Sequence, residues 1–200
     1  MSVLGYAVTM RVHVESDAIS SAGRAAHDIS LGALIGGNLF ARVAMHPALG
    51  LVNDPRDRGR VVNRAWRRYG VVNSLALTSL IAGWVPARLG EARRALLSPR
   101  ERPLAVGKDL AMCAVAVTGI AAGAQGMRFS RMELGGAVPL EDGSTPSAEA
   151  SDREASAKRR LNMLGTAHLV SALALAAVNA TLAQASFRRP PKRRLLKRRY

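Results

Sequence analysis

Sulfur chemistry is almost missing from this chain. It has one cysteine, Cys113. That excludes a disulfide framework and any Cys-based metal motif within one chain. Cys113 sits in an apolar run and reads as a small packing residue. A nucleophile elbow, a P-loop, a dinucleotide fingerprint and a zinc signature are also missing. Gly36-Gly37 follows no strand and is no phosphate cradle. Asn179-Ala180-Thr181 has the letters of a glycosylation acceptor but lies inside an apolar run.

Charge is missing locally. Tyr69 to Ala87, Leu110 to Met127 and Leu161 to Phe187 contain no Asp, Glu, Lys or Arg. A helix needs roughly 20 residues to cross the hydrocarbon, so such stretches are transmembrane candidates. A fourth, Ser30 to Pro47, is apolar and small-residue rich but carries Asn38 and Arg42. These runs predict an all-α fold: a four-transmembrane-helix bundle with a basic C-terminal tail. The expected helices cover about 29–50, 66–86, 104–127 and 161–186. Pro47 and Pro86 mark helix boundaries. "NDPRDRGR" reads as a loop with turn chemistry around Pro55 and Gly59. Residues 133–160 read as a flexible acidic loop.

The first 28 residues read as a polar lead-in with a strand-like start. From Leu4 to Val14 the larger apolar residues fall on even positions, a period of two. The chain offers no second strand, so pairing between chains is one expectation. A basic n-region and a clean apolar core are lacking, so this segment does not read as a signal peptide.

Net charge is +15. Eight Lys/Arg crowd into residues 187–200, read as a cytoplasmic tail. Basic clusters beside a span are attracted to anionic lipid. The expected partners are therefore the bilayer and anionic headgroups at the tail, with a homo-oligomer or membrane-complex partner open. A soluble helical nucleic-acid binder is the third functional alternative. Four crossings place both termini on one side, and the tail favours the cytoplasm. The expected location is a bacterial inner membrane, multi-pass. Arg56 to Arg68 carries six arginines and would then lie outside, against the positive-inside rule.

Membrane helices associate through small residues. Gly32/Gly36 and Gly119/Gly123 have that spacing and are the expected packing positions. At about 100° per residue, His27, Asn38 and Arg42 share one face of the first helix. Intramembrane polar groups face the bundle interior or a cavity. Asn38, Arg42, Asn73 and His168 are thus the candidate ligand-binding residues. Arg42 alternatively snorkels to the interface. His46 and His168 come to similar depth and form the one candidate haem or metal pair; otherwise no cofactor is expected. His27, Lys108 and Asp109 share the opposite level, with Asn179 somewhat deeper.

"GGNLFARVAMHPAL", "RAWRRYGVVNSLALTSLIAGW" and "RLNMLGTAHLV" together resemble the anthrone-oxygenase-like group of small four-helix membrane proteins. Gly37, Phe40, His46-Pro47-Ala48-Leu49 and Trp66 carry the resemblance. It implies cofactor-free oxygenation of aromatic polyketides for some members and assigns no catalytic residue here. The leading functional expectation is a small ligand-binding, scaffold or accessory membrane subunit. A small membrane oxygenase or oxidoreductase is the alternative.

Overall fold

The computed structural model describes residues 3–89, 98–99 and 101–187, with side chains from residue 22 to 85, at 98–99 and from 101 to 185. Residues 188–200 of the basic tail lie outside this range. Four long helices dominate: α1 (Val3–Phe40), α3 (Pro55–Leu89), α4 (Glu101–Phe129) and α5 (Asp152–Phe187). Each contributes two buried residues to one core: Leu31 and Leu34, Ala76 and Leu80, Met112 and Val115, Ala172 and Leu175. α1 packs chiefly on α3 and α4 on α5, and α1 also meets α5. α4 and α5 are long and apolar enough to cross a membrane.

The expected strand-like start is a correction. Residues from Val3 onward are helical. A lone strand leaves its backbone groups unpaired, whereas a helix satisfies them internally. Two other helices start earlier than expected. Asp54 accepts from the amides of Arg56 and Asp57 at 2.7 and 3.4 Å. Pro55 follows at the first helical position, where a missing N–H costs nothing. So "NDPRDRGR" opens α3. Before α5, Ser151 and Glu154 form a reciprocal capping box. Glu154 accepts from the Ser151 amide at 2.8 Å, and the Glu154 amide reaches Ser151 Oγ at 3.4 Å. Two orphan donors are satisfied at once, and the helix starts there.

α1 does not end cleanly. Residues Ala41–Met45 form a π-turn, then α2 (His46–Ala48) and a 3₁₀ turn (Leu49–Leu51) follow. Pro47 has no N–H to give the carbonyl one turn back. The turn before it widens, and the His46 amide bonds Ala41 O.

Residues 130–151 fold over this end as a cap. Arg58 forks into it: Nε donates to Val52 O at 2.6 Å, Nη1 to Glu141 O at 2.7 Å and Leu140 O at 3.3 Å. Lys158 Nζ donates to Gly143 O and Asn162 Nδ2 to Ser144 O, both at 2.7 Å. Val138 and Leu140 join Leu49, Val62 and Phe129 in a second core. The stretch expected to be a flexible loop thus carries buried apolar side chains and anchored carbonyls, and its last part is α5.

A candidate functional site: a groove beneath the cap

The π-turn and α3 enclose an open groove of about 390 Å³. Its walls are Gly37, Phe40, Ala41 and Met45 on one side and Ala65, Trp66, Tyr69 and Val72 on the other, with Arg68 at the rim. Tyr69 sets its width. A Cβ on Gly37 would collide with the Tyr69 ring, so only glycine lets the ring lie against α1. There the Tyr69 hydroxyl donates to Ala33 O at 2.8 Å. Trp66 stands edge-on to Tyr69 with ring centroids 6.3 Å apart.

Trp66 also joins the groove to the cap, since its ring lies 6.3 Å from that of His46. His46 is buried, and its Nε2 has no hydrogen-bond partner. It lies beyond the π-turn, in the cap layer, under Gly143. A Cβ on Gly143 would overlap the imidazole, and the Gly143 amide donates to His46 O at 3.0 Å. Burial, then the neighbouring Lys158 ammonium, hold His46 down at about 4. Lys158 precedes the charge-free run from Leu161 and is 2% exposed. Burial pushes its ammonium down to about 8. Phe129 compensates in part, its ring centroid 5.6 Å from Nζ. Burial raises the Asp142 carboxyl, but hydrogen bonds from Ser144 and Thr145 outweigh it and hold the group below its usual range.

The four expected ligand residues each have their own setting. Asn38 is buried and donates to Leu34 O within its own helix at 3.0 Å. Arg42 instead reaches across to α5, donating to Thr166 Oγ1 at 2.8 Å. Asn73 holds a buried Oδ1 with no partner. His168 is buried against α4, its Nδ1 3.3 Å from Thr118 Oγ1. A Cβ on Gly119 would sit 3.0 Å from the His168 ring, so Gly119 makes room for it. His46 faces the cap, near Lys158. His168 lies ten residues along α5 from Lys158, about 15 Å of helix. Among the described residues no cluster of three or more His, Cys, Asp or Glu could hold a metal. Gly32, Gly36 and Gly123 face open space; a Cβ on any of them meets nothing within 4 Å.

At the other end of the bundle, residues expected at one depth come together. Lys108 Nζ donates to Asn179 Oδ1 at 2.6 Å, and Asn179 Nδ2 to Asp28 Oδ1 at 3.1 Å. His27 Nδ1 is 3.2 Å from the same carboxylate oxygen. Trp84 Nε1 donates to Asp109 at 3.2 Å. Polar groups meet at this end of the core as they do at the cap end, and His168 is buried between the two. Arg58, Lys158 and Gly143 carry no expectation from the sequence. The capping box, Ser-x-x-Glu, was the one signal that could have announced the cap's far boundary.

No family model, curated protein or solved structure matches this chain.

Proposed function

We propose that this is an integral membrane protein whose four long helices cross the bilayer and hold a small, apolar-bodied ligand in the groove beneath the cap. The observation that carries the reading is the groove itself: apolar and aromatic walls with one cationic rim residue, a lining suited to an apolar-bodied ligand. Membrane residence is supported by exposure. In the most apolar windows of α4 and α5 only 17% and 22% of residues are buried. A core helix of a soluble protein would be mostly covered. Ile29, Val43, Leu75, Val117, Ile120 and Val170 add exposed apolar surface on all four helices, which suits lipid and not water. The same exposure argues against the soluble nucleic-acid binder.

In this arrangement the cap lies on one side and both termini on the other, with the basic tail in the cytoplasm of an inner-membrane protein. The tail would meet anionic headgroups. The open faces at Gly32/Gly36 and Gly123 are available to a second copy or an accessory partner. A cofactor-free membrane oxygenase is the second reading. It is favoured by Trp66 and Tyr69, which would stack on a flat aromatic substrate in the same groove.

The test is purification in mild detergent with mass spectrometry of co-purifying small molecules. Ala65→Phe fills the groove. It should lose the ligand while keeping the parent's thermal unfolding. Recovery of the protein in the soluble fraction without detergent would sink the membrane reading. Full ligand load in Ala65→Phe would sink the groove.

A further inference from the structure

We infer that the groove is a site for one anionic phospholipid, its phosphate held by Arg68 and Arg64 and an acyl chain laid along Tyr69, Val72 and Phe40. The inference rests on the groove being a ligand site and names the ligand's class.

Three observations converge. The first is the order of residues along α3. Its exposed side carries Arg64, Arg67 and Arg68, then Val71, Val72 and Leu75, which are 62%, 42% and 68% exposed. Charge gives way to bare hydrocarbon within one turn, and that step lies where Trp66 and Tyr69 sit. Tryptophan and tyrosine favour the level of the headgroups. A molecule beside α3 therefore meets cations toward the cap and apolar surface away from it, as a phospholipid requires.

The second is unspent charge. Arg58 is engaged by cap carbonyls, and Arg60 pairs with Asp57 at 2.6 Å. Arg64, Arg67 and Arg68 have no ion pair or side-chain hydrogen bond in the described structure. Arg64 and Arg68 are one helical turn apart, so their guanidinium groups stand on the same side of α3. Two planar forks at that spacing suit the oxygens of a phosphate.

The third is register between head and chain. Arg68 lines the groove along with Val72, one turn further into the apolar region, and with Phe40 across on α1. Phe40 is 64% exposed. A phosphate on Arg68 places the acyl chain directly against these walls. The groove is open and its Phe40 and Val72 walls are exposed, so an acyl chain beside α3 reaches them without crossing the cap.

Tryptophan fluorescence tests this, because the chain has only Trp66 and Trp84. Trp84→Phe leaves Trp66, in the groove wall, as the sole reporter. The protein is reconstituted in phosphatidylcholine with a minor share of phosphatidylglycerol, and one lipid or the other carries brominated acyl chains. At equal mole fraction, brominated phosphatidylglycerol should quench Trp66 several-fold more than brominated phosphatidylcholine. Arg64→Gln/Arg68→Gln should abolish the difference. Arg159→Gln/Arg160→Gln removes the same charge elsewhere and should keep it. Equal quenching by both lipids in the parent overturns the anionic lipid but leaves the groove as a ligand site. So does an equal loss in the Arg159/Arg160 variant, which would mean diffuse attraction. No quenching by either lipid overturns the lipid proposal; the groove reading then stands or falls on the co-purification result. If Trp84→Phe does not fold, the difference between the parent and Trp66→Phe gives the same readout.

Discussion

Arg58 holds the cap by a geometry that lysine cannot copy. Its planar fork donates to carbonyls of Val52, Leu140 and Glu141, joining the start of α3 to a segment more than 80 residues away in the chain. Hydrogen bonds from a charged donor contribute more than neutral ones, and a carbonyl left without its donor costs further. Arg58→Ala should weaken cap docking by about 2 kcal/mol, about thirtyfold in local opening. Amide hydrogen exchange at Leu140 and Gly143 would report it, with the core amides of α4 and α5 unchanged. Arg58→Lys should not restore protection, because an ammonium is a point donor. His46 adds a pH dependence. Its imidazole titrates near 4 under the closed cap and near the ordinary value of about 6.5 once the cap lifts. Between those values the open form binds more protons, so the His46 contribution to closure is fully present above about pH 6.5 and is lost as pH falls toward 4. The neighbouring Lys158 and Arg42 oppose His46 protonation, while Asp142 favours it. Protection factors at Gly143 should fall on acidification in the parent. In His46→Gln that dependence should flatten, and a slope of equal size there would exclude His46 as its source.

At the scale of elements, the long helices were legible because membrane-length apolar runs are a property of single stretches. The runs at Leu110 and Leu161 sit inside α4 and α5. Starts were harder. Period-two alternation over Leu4 to Val14 suggested a strand, but the described residues hold no partner strand and α1 takes this stretch. Asp54-Pro55 looked like a turn and is a helix start, since a proline is equally at home in both. The cap was illegible for a deeper reason. Its polar composition resembles disorder, while its anchors are backbone carbonyls bound by Arg58, Lys158 and Asn162 from elsewhere in the chain. Nothing in residues 133–151 alone records those donors. The candidate site shows the same limit. The polar level of His27, Lys108 and Asn179 could be read from depth along helices. The groove could not, because it depends on Tyr69 lying over Gly37 and on the π-turn before Pro47. The Gly32/Gly36 spacing promised a contact, yet within the chain the close approach falls one residue later, at Gly37.

For the whole molecule, orientation is the property most contested by charge. α1 ends and α3 begins at the cap, as α4 ends and α5 begins there. The tail after Phe187 therefore departs from the opposite end. In a membrane-spanning bundle its eight Lys/Arg would follow α5 directly and pull that end toward the cytoplasm, each by about 1 kcal/mol near an anionic surface. The six arginines between Arg56 and Arg68 pull the cap the same way. Part of that second pull is cancelled on folding, since Arg58 is taken up by cap carbonyls and Arg60 by Asp57. The tail faces no such competition from neighbouring acids in its own sequence, which contains none. The balance predicts a cytoplasmic tail and a cap on the far side. Cysteine labelling can decide it in a Cys113→Ser background, the chain having no other thiol. With a membrane-impermeant maleimide on intact cells, Ala148→Cys in the cap should label at once. A cysteine appended after Tyr200 should label only after permeabilisation. The reverse pattern would invert the orientation, and labelling of both in intact cells would contradict an orientation with the two ends on opposite faces. With the cap outside, the titration of His46 would sense the outer compartment, and the groove would draw its lipid from the outer leaflet.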